Sequence, residues 1–107
     1  MKNGRKHLLS HPGEILKEEF LAPLGISVYA LAKAIDVPRT RMNDIVLGHR
    51  GISADTAIRL GYFFGTDAQS WLNLQSRYDL LTAEESGGSS YRNITTFEQL
   101  QSDGVFS

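Results

Sequence analysis

The chain contains no cysteine, which excludes disulfide scaffolds, thiolate metal sites and cysteine nucleophiles. No apolar run approaches the ~20 residues that a membrane-spanning helix requires. The segment Met1 to Ser10 is basic through Lys2, Arg5 and Lys6 but lacks the apolar stretch of a secretory signal. A cytoplasmic protein with no membrane partner is therefore expected. Strand-like alternation and internal repeats are both missing, so the chain reads as all-α. His7, His11 and His49 do not have metal-ligand spacing, and there is no Gly-rich phosphate loop and no Ser/His/acid set placed by a motif. The expectation is a protein that is not an enzyme and takes neither metal nor cofactor.

What is present is unevenly distributed. The formal net charge of −1 argues against a uniformly basic nucleic-acid binder. Residues 1–50, however, hold eight Lys/Arg against five Asp/Glu, and residues 51–107 hold three against seven. Halves of opposite sign point to two surfaces with different partners, with chance scatter in a short chain as the bland alternative. With 107 residues, 41% of them hydrophobic, one small domain and a tail can be built.

Residues 1–10 read as a flexible basic arm. A helix is expected from His11-Pro12-Gly13-Glu14, with Pro12 at the first helical position and Glu14 favoured by the helix dipole. Ile15, Leu16, Phe20 and Leu24 give it an apolar stripe, and Pro23 and Gly25 stop it. Ser27 caps a second helix, Val28 to about Ile35, and Asp36-Val37-Pro38 breaks the chain. A third helix runs to Leu47 and is closed by Gly48. Ser53 caps a fourth that ends at Gly65. Thr66 and Gln69 have capping-box spacing for a fifth, whose Trp71, Leu74, Tyr78 and Leu81 share one face. Residues 11–85 thus form the domain. Ser86-Gly87-Gly88-Ser89-Ser90 reads as a flexible linker, and residues 86–107 as a linker and partly disordered tail in which 96–102 have room for one or two helical turns.

Residues 27–50 carry the functional signal. Leu31, Ala32, Ile35, Val37, Met42 and Ile45 fall where a helix-turn-helix needs apolar contacts, and the small Ala32 permits close approach at a steep angle. Asp36 stands where such turns usually carry Gly, and Asp is among the few residues that enter the left-handed region at modest cost. The opposite side of the third helix is then polar: Arg39, Thr40, Arg41, Asn43 and Asp44. Arg can donate a bidentate pair to guanine and Asn can pair with adenine, so Arg39, Thr40, Arg41 and Asn43 are the candidate base readers. Asp44 either accepts from cytosine or orients a neighbouring Arg. Ser27, His49 and Arg50 are candidate phosphate contacts, which set position rather than sequence choice. The competing reading is an ordinary solvated helix face.

Three further stretches add specificity. The run His11-Pro12-Gly13-Glu14-Ile15-Leu16 with Leu24-Gly25-Ile26-Ser27, the run Leu47-Gly48-His49-Arg50-Gly51-Ile52-Ser53 followed by Thr56-Ala57-Ile58-Arg59-Leu60, and the segment Trp71 to Leu80 of the form W-x-x-L-Q-x-x-Y-D-L resemble HigA-type (VapI-like) antitoxins of the wider Xre/Cro helix-turn-helix family. The resemblance covers about residues 11–81. It implies a five-helix, lambda-repressor-like fold and a homodimer on a palindromic double-stranded DNA operator. It also implies a HigB-like, RelE-type mRNA-cleaving toxin as partner, neutralised by the antitoxin while the shared operon is repressed. A free-standing Xre-type repressor without a toxin is the alternative, and a pure protein-interaction module a third.

Other residues admit two readings each. Trp71 and Tyr78 are core or a dimer contact. Tyr62, Phe63 and Phe64 are too much aromatic surface for one small helix to hide, so part is core and part a dimer or partner surface. Gln75, Arg77 and Asp79 lie off or beside the fifth helix's stripe, and Arg77 with Asp79 suits surface polar contacts. Glu14, Glu18 and Glu19 are a solvated acidic face or a docking face for a basic toxin, and His11 is a helix-capping residue.

Overall fold

A computed structural model of the chain, which describes residues 10–104, consists of helices only among those residues. The first, α1, is a continuous helical run of three segments: Pro12–Ile15, Leu16–Leu21 and Ala22–Leu24. It is followed by α2 (Val28–Ile35), α3 (Arg39–Val46), α4 (Ala54–Phe64), α5 (Ala68–Arg92) and a short α6 (Phe97–Asp103) in the tail. Five helices thus precede the tail, as expected for a lambda-repressor-like helix-turn-helix domain. Nearly all of the expected basic arm lies outside the described residues.

The local signals explain most boundaries. His11 caps α1 by accepting the Gly13 N–H at its Nδ1, 2.9 Å away, and Pro12 opens the helix where its missing N–H is harmless. The Ser27 and Ser53 hydroxyls accept from Ala30 and Thr56 at the starts of α2 and α4. Gly25 and Gly65 close α1 and α4 in the left-handed region.

Three expectations need correction. The middle of α1, Leu16–Leu21, is a π-helix. Its wider turn advances the buried face, so Leu21 is buried and Leu24 is 60% exposed, outside the stripe it was expected to join. The cap of α5 is Asp67, which accepts from the Gln69 N–H, and not Thr66. Thr66 is committed elsewhere, because its hydroxyl accepts the indole N–H of buried Trp71 at 2.9 Å. Farther along α5, the Gln75 carbonyl accepts the N–H of Ile52 at 2.8 Å. Finally, the expected linker at 86–90 is helical and belongs to α5. An established helix extends without a new nucleation penalty, and Ser86 bonds back to the carbonyls of Thr82 and Ala83. The low helix propensity of the glycines shows as a kink, with Gly87 at φ −120°, ψ 19°.

The core is built from α1 to α5 by Leu16, Leu21, Leu31, Ala32, Ile35, Val37, Met42, Ile45, Ile52, Ala57, Leu60 and Trp71. Phe20, Phe64 and Trp71 form an aromatic cluster with ring centroids 4.9–6.2 Å apart, so Trp71 and Phe64 are core while Tyr62 is 88% exposed. Burial of each large aliphatic contributes about 1.5–3 kcal/mol, and α3 takes its share chiefly through Met42 and Ile45, both fully buried, with Val46 packed partly buried beside them.

The tightest contact behind α3 is a backbone one. Gly13 is buried, and a β-carbon built on it would overlap the carbonyl oxygen of Ile45. Only glycine lets α1 lie this close to α3. Gly13→Ala should therefore lower unfolding stability by about 1–3 kcal/mol or more, read as a shift in the urea midpoint. A variant with the parent midpoint would show that α1 and α3 do not meet here.

Candidate nucleic-acid interface

The corner between α2 and α3 is made by one residue. Asp36 has φ 58° and ψ 52°, the left-handed conformation expected of it, and it is the one non-glycine residue with positive φ among those described. The Val37 N–H donates back to the Ala32 carbonyl at 3.0 Å, and the Val37 side chain is buried in the corner. From α4, Arg59 reaches across to donate to the Ile35 carbonyl at 2.9 Å, while its Nε pairs with Asp55 at 3.0 Å. The exposed end of α2 is thereby tied to a third helix.

With Met42 and Ile45 inward, a step of ~100° per residue turns Thr40, Asn43, Asp44 and Leu47 to the opposite side of α3. Arg39 stands on one flank and is exposed. Arg41 stands on the other flank and is half-buried, as are Asn43 and Asp44. The expected polar row is present, but it is most open at its start, at Arg39 and Thr40. The Asp44 carboxylate makes no ion pair with an arginine among the described residues.

The remaining candidates lie outside α3. At its start, the guanidinium carbon of Arg39 is 5.8 Å from the centre of the Tyr29 ring. Ser27, the cap of α2, lies two residues before Tyr29. No side chain caps α3, so its first-turn N–H groups are left for other partners. At the far end, Gly48 adopts φ 81°, the His49 N–H closes on the Asp44 carbonyl at 2.8 Å, and His49 and Arg50 are exposed in the turn. The helix itself has eight residues and is ~12 Å long.

Two exposed residues of this face were not singled out from the sequence. Leu47 is 62% exposed and continues the Thr40–Asn43 side, and Tyr29 is 57% exposed. For Leu47 the available signal was its spacing of four and seven residues from those two. For Tyr29 it was its place outside the Leu31–Ala32–Ile35 face of α2. Their proximity to α3 needs the tertiary structure.

The turn after α3 is held from below. Gln75 takes the Ile52 N–H and donates in turn to Asp79 at 3.0 Å, and a β-carbon on Gly51 would press on the Gln75 amide at 3.0–3.1 Å. His11 lies against Tyr78, ring centroids 5.0 Å apart, and next to Gly48. Partial burial pushes the His11 pKa below its ordinary value, against the opposing pull of Asp79 and Glu14. The cap requires an unprotonated Nδ1, in agreement with that direction.

This arrangement can be compared with known proteins. No protein-family model matches the chain. It is 61% identical over 75 residues to Virulence-associated protein I of Dichelobacter nodosus, covering 70% of this chain and 69% of the relative. In structure it resembles an antitoxin HigA of Pseudomonas aeruginosa solved with the higBA promoter, at 51% identity and a TM-score of 0.79, covering 83% of this chain and 98% of that one. The chain belongs to the HigA-type antitoxin family of Xre helix-turn-helix proteins. Antitoxin HigA-1 of Vibrio cholerae is 41% identical over 68 residues, 64% of each chain. These HigA-type relatives are antitoxins, not enzymes. No helix among the described residues is long and apolar enough to cross a membrane.

The histidine under the HigA-type fold sets a pH dependence. A depressed folded pKa means that the unfolded chain binds its proton first on acidification. The His11 contribution is thus intact above pH ~6.5 and is lost as pH falls below that value through the folded pKa. Urea midpoints at pH 7.5 and 5.5 should differ less for His11→Asn, which caps without titrating, than for the parent. Equal differences would remove His11 as the group responsible.

Proposed function

We propose that this HigA-type chain is a homodimeric antitoxin that represses its own operon by laying α3 in the major groove of a palindromic operator, and that it binds and neutralises a HigB-like, RelE-type toxin. The observation that carries the DNA reading is the exposed start of α3, where Arg39 and Thr40 stand clear of the core at the corner set by Asp36. The N-terminal residues of such a helix reach furthest toward base edges. Arg39 and Asn43 have the donor and acceptor patterns for guanine and adenine. Thr40, Arg41 and Asp44 have the reach of neighbouring bases, with cytosine the partner suited to Asp44. Leu47 offers an apolar surface to a thymine methyl. Ser27, at the start of α2, and His49 and Arg50, in the turn after α3, suit phosphates on either side of the groove. The P. aeruginosa relative, solved with the higBA promoter, supports this assignment.

Exposed apolar side chains on α4 and α5, among them Ile58, Tyr62 and Leu80, are available to a partner and support the dimer. The acidic balance of residues 51–107 supports a second, cationic partner, the character required of a nuclease that works on RNA. The place of the chain in an antitoxin family gives that partner its identity as a toxin. A free-standing repressor is the second reading and differs only in the toxin.

A duplex selected in vitro by the protein from a randomised pool tests the DNA reading. Arg39→Ala and Asn43→Ala should each lose about 1–3 kcal/mol on it and relax sequence choice. Arg50→Ala should weaken all duplexes alike and lower the salt slope by about one unit. Unchanged titrations for all three would reject the assignment of α3. Co-expression with the product of the adjacent gene should rescue growth through a stable complex. Operator binding without rescue would leave the repressor alone.

A further inference from the structure

Arg39 is the first residue of α3 and is exposed, and a side chain of its length samples many rotamers when it stands in water. In this fold it has one partner among the described residues. Its guanidinium carbon is 5.8 Å from the centre of the Tyr29 ring, within the ~6 Å at which a cation is drawn to an aromatic face. That ring comes from another helix. Tyr29 is the second residue of α2, whose buried face is Leu31, Ala32 and Ile35, and it is 57% exposed. Core burial does not account for so large an apolar group at this position. The corner at Asp36 sets α3 where the Arg39 side chain meets this ring.

The type of contact matters for recognition. A carboxylate beside Arg39 would occupy the N–H fork that a guanine needs. An aromatic face instead takes the flat side of the guanidinium and leaves the in-plane donors free. We propose that Tyr29 is the positioning residue of the recognition helix: its ring restrains Arg39 with the donor fork turned outward, so that sequence choice depends on Tyr29 although Tyr29 reads no base itself. This rests on the DNA-binding reading of α3. The ring, and not the hydroxyl, is the group that acts.

The test uses the full chain, the selected duplex and a shuffled duplex of equal composition, titrated by fluorescence anisotropy over a salt series. Tyr29→Phe keeps the ring and should retain the parent's discrimination between the duplexes. Tyr29→Leu should lose about three- to thirtyfold in affinity for the selected duplex, with shuffled-duplex affinity and salt slope unchanged. In an Arg39→Ala background, Tyr29→Leu should add no further loss. Tyr29→Phe falling as far as Tyr29→Leu would overturn the proposal in favour of a hydroxyl contact, and so would a Tyr29→Leu loss that persists without Arg39. Tyr29→Leu with parental discrimination, while Arg39→Ala is impaired, would sink the inference and leave the DNA reading standing. An Arg39→Ala chain that discriminates like the parent would remove both.

Discussion

The backbone contact between Gly13 and the Ile45 carbonyl is the constraint on which the rest of the structure depends. An eight-residue helix is not stable alone in water, so α3 exists because its neighbours hold it. It offers them two fully buried side chains, Met42 and Ile45, and the close approach that a glycine permits. The same contact decides orientation. Once α1 lies against the Ile45 turn, Thr40, Asn43 and Leu47 have nowhere to face but outward. Packing and the proposed recognition are therefore two sides of one helix, and the His-Pro-Gly-Glu start of α1 supports the candidate interface from behind.

Around that seam, polar groups distant in sequence finish the helix ends. Arg59 caps the last turn of α2 through Ile35, Gln75 satisfies Ile52 in the segment after α3, and His11 joins the cap of α1 to Tyr78 and the flank of Gly48. No buried side-chain nitrogen or oxygen among the described residues lacks a partner. Each bond adds only about 1 kcal/mol, but together they set the geometry of the turns on both sides of α3. The Trp-Leu-Asn-Leu-Gln motif of α5 is thereby explained as support. Trp71 fills the core and Gln75 props the turn that presents Arg50.

The parts of this fold that were legible in the sequence are those decided within a few residues. Serine caps at 27 and 53, glycine stops at 25, 48 and 65, and the left-handed aspartate at 36 announce themselves locally, as does the alternation of Met42 and Ile45 with polar residues. The π-turn in α1 was not legible, because nothing within Leu16–Leu21 demands it and its effect is the tertiary exchange of Leu21 for Leu24. The cap of α5 was misplaced because Thr66 is claimed by an indole five residues away. Helix through Ser86–Ser90 was missed because glycine propensity was weighed without the long helix already feeding into it. At the candidate site, the members on α3 followed from periodicity. Tyr29 did not, since its meaning lies in a neighbour ten residues on, across a corner.

The most direct test of the central claim is a crystal structure of this chain bound to its selected duplex. The account expects α3 in the major groove, with Arg39, Thr40 and Asn43 at base edges and Gly13 still closed on Ile45. A complex in which α3 lies away from the groove, or in which the α1–α3 seam has opened to expose Met42 and Ile45, would contradict it.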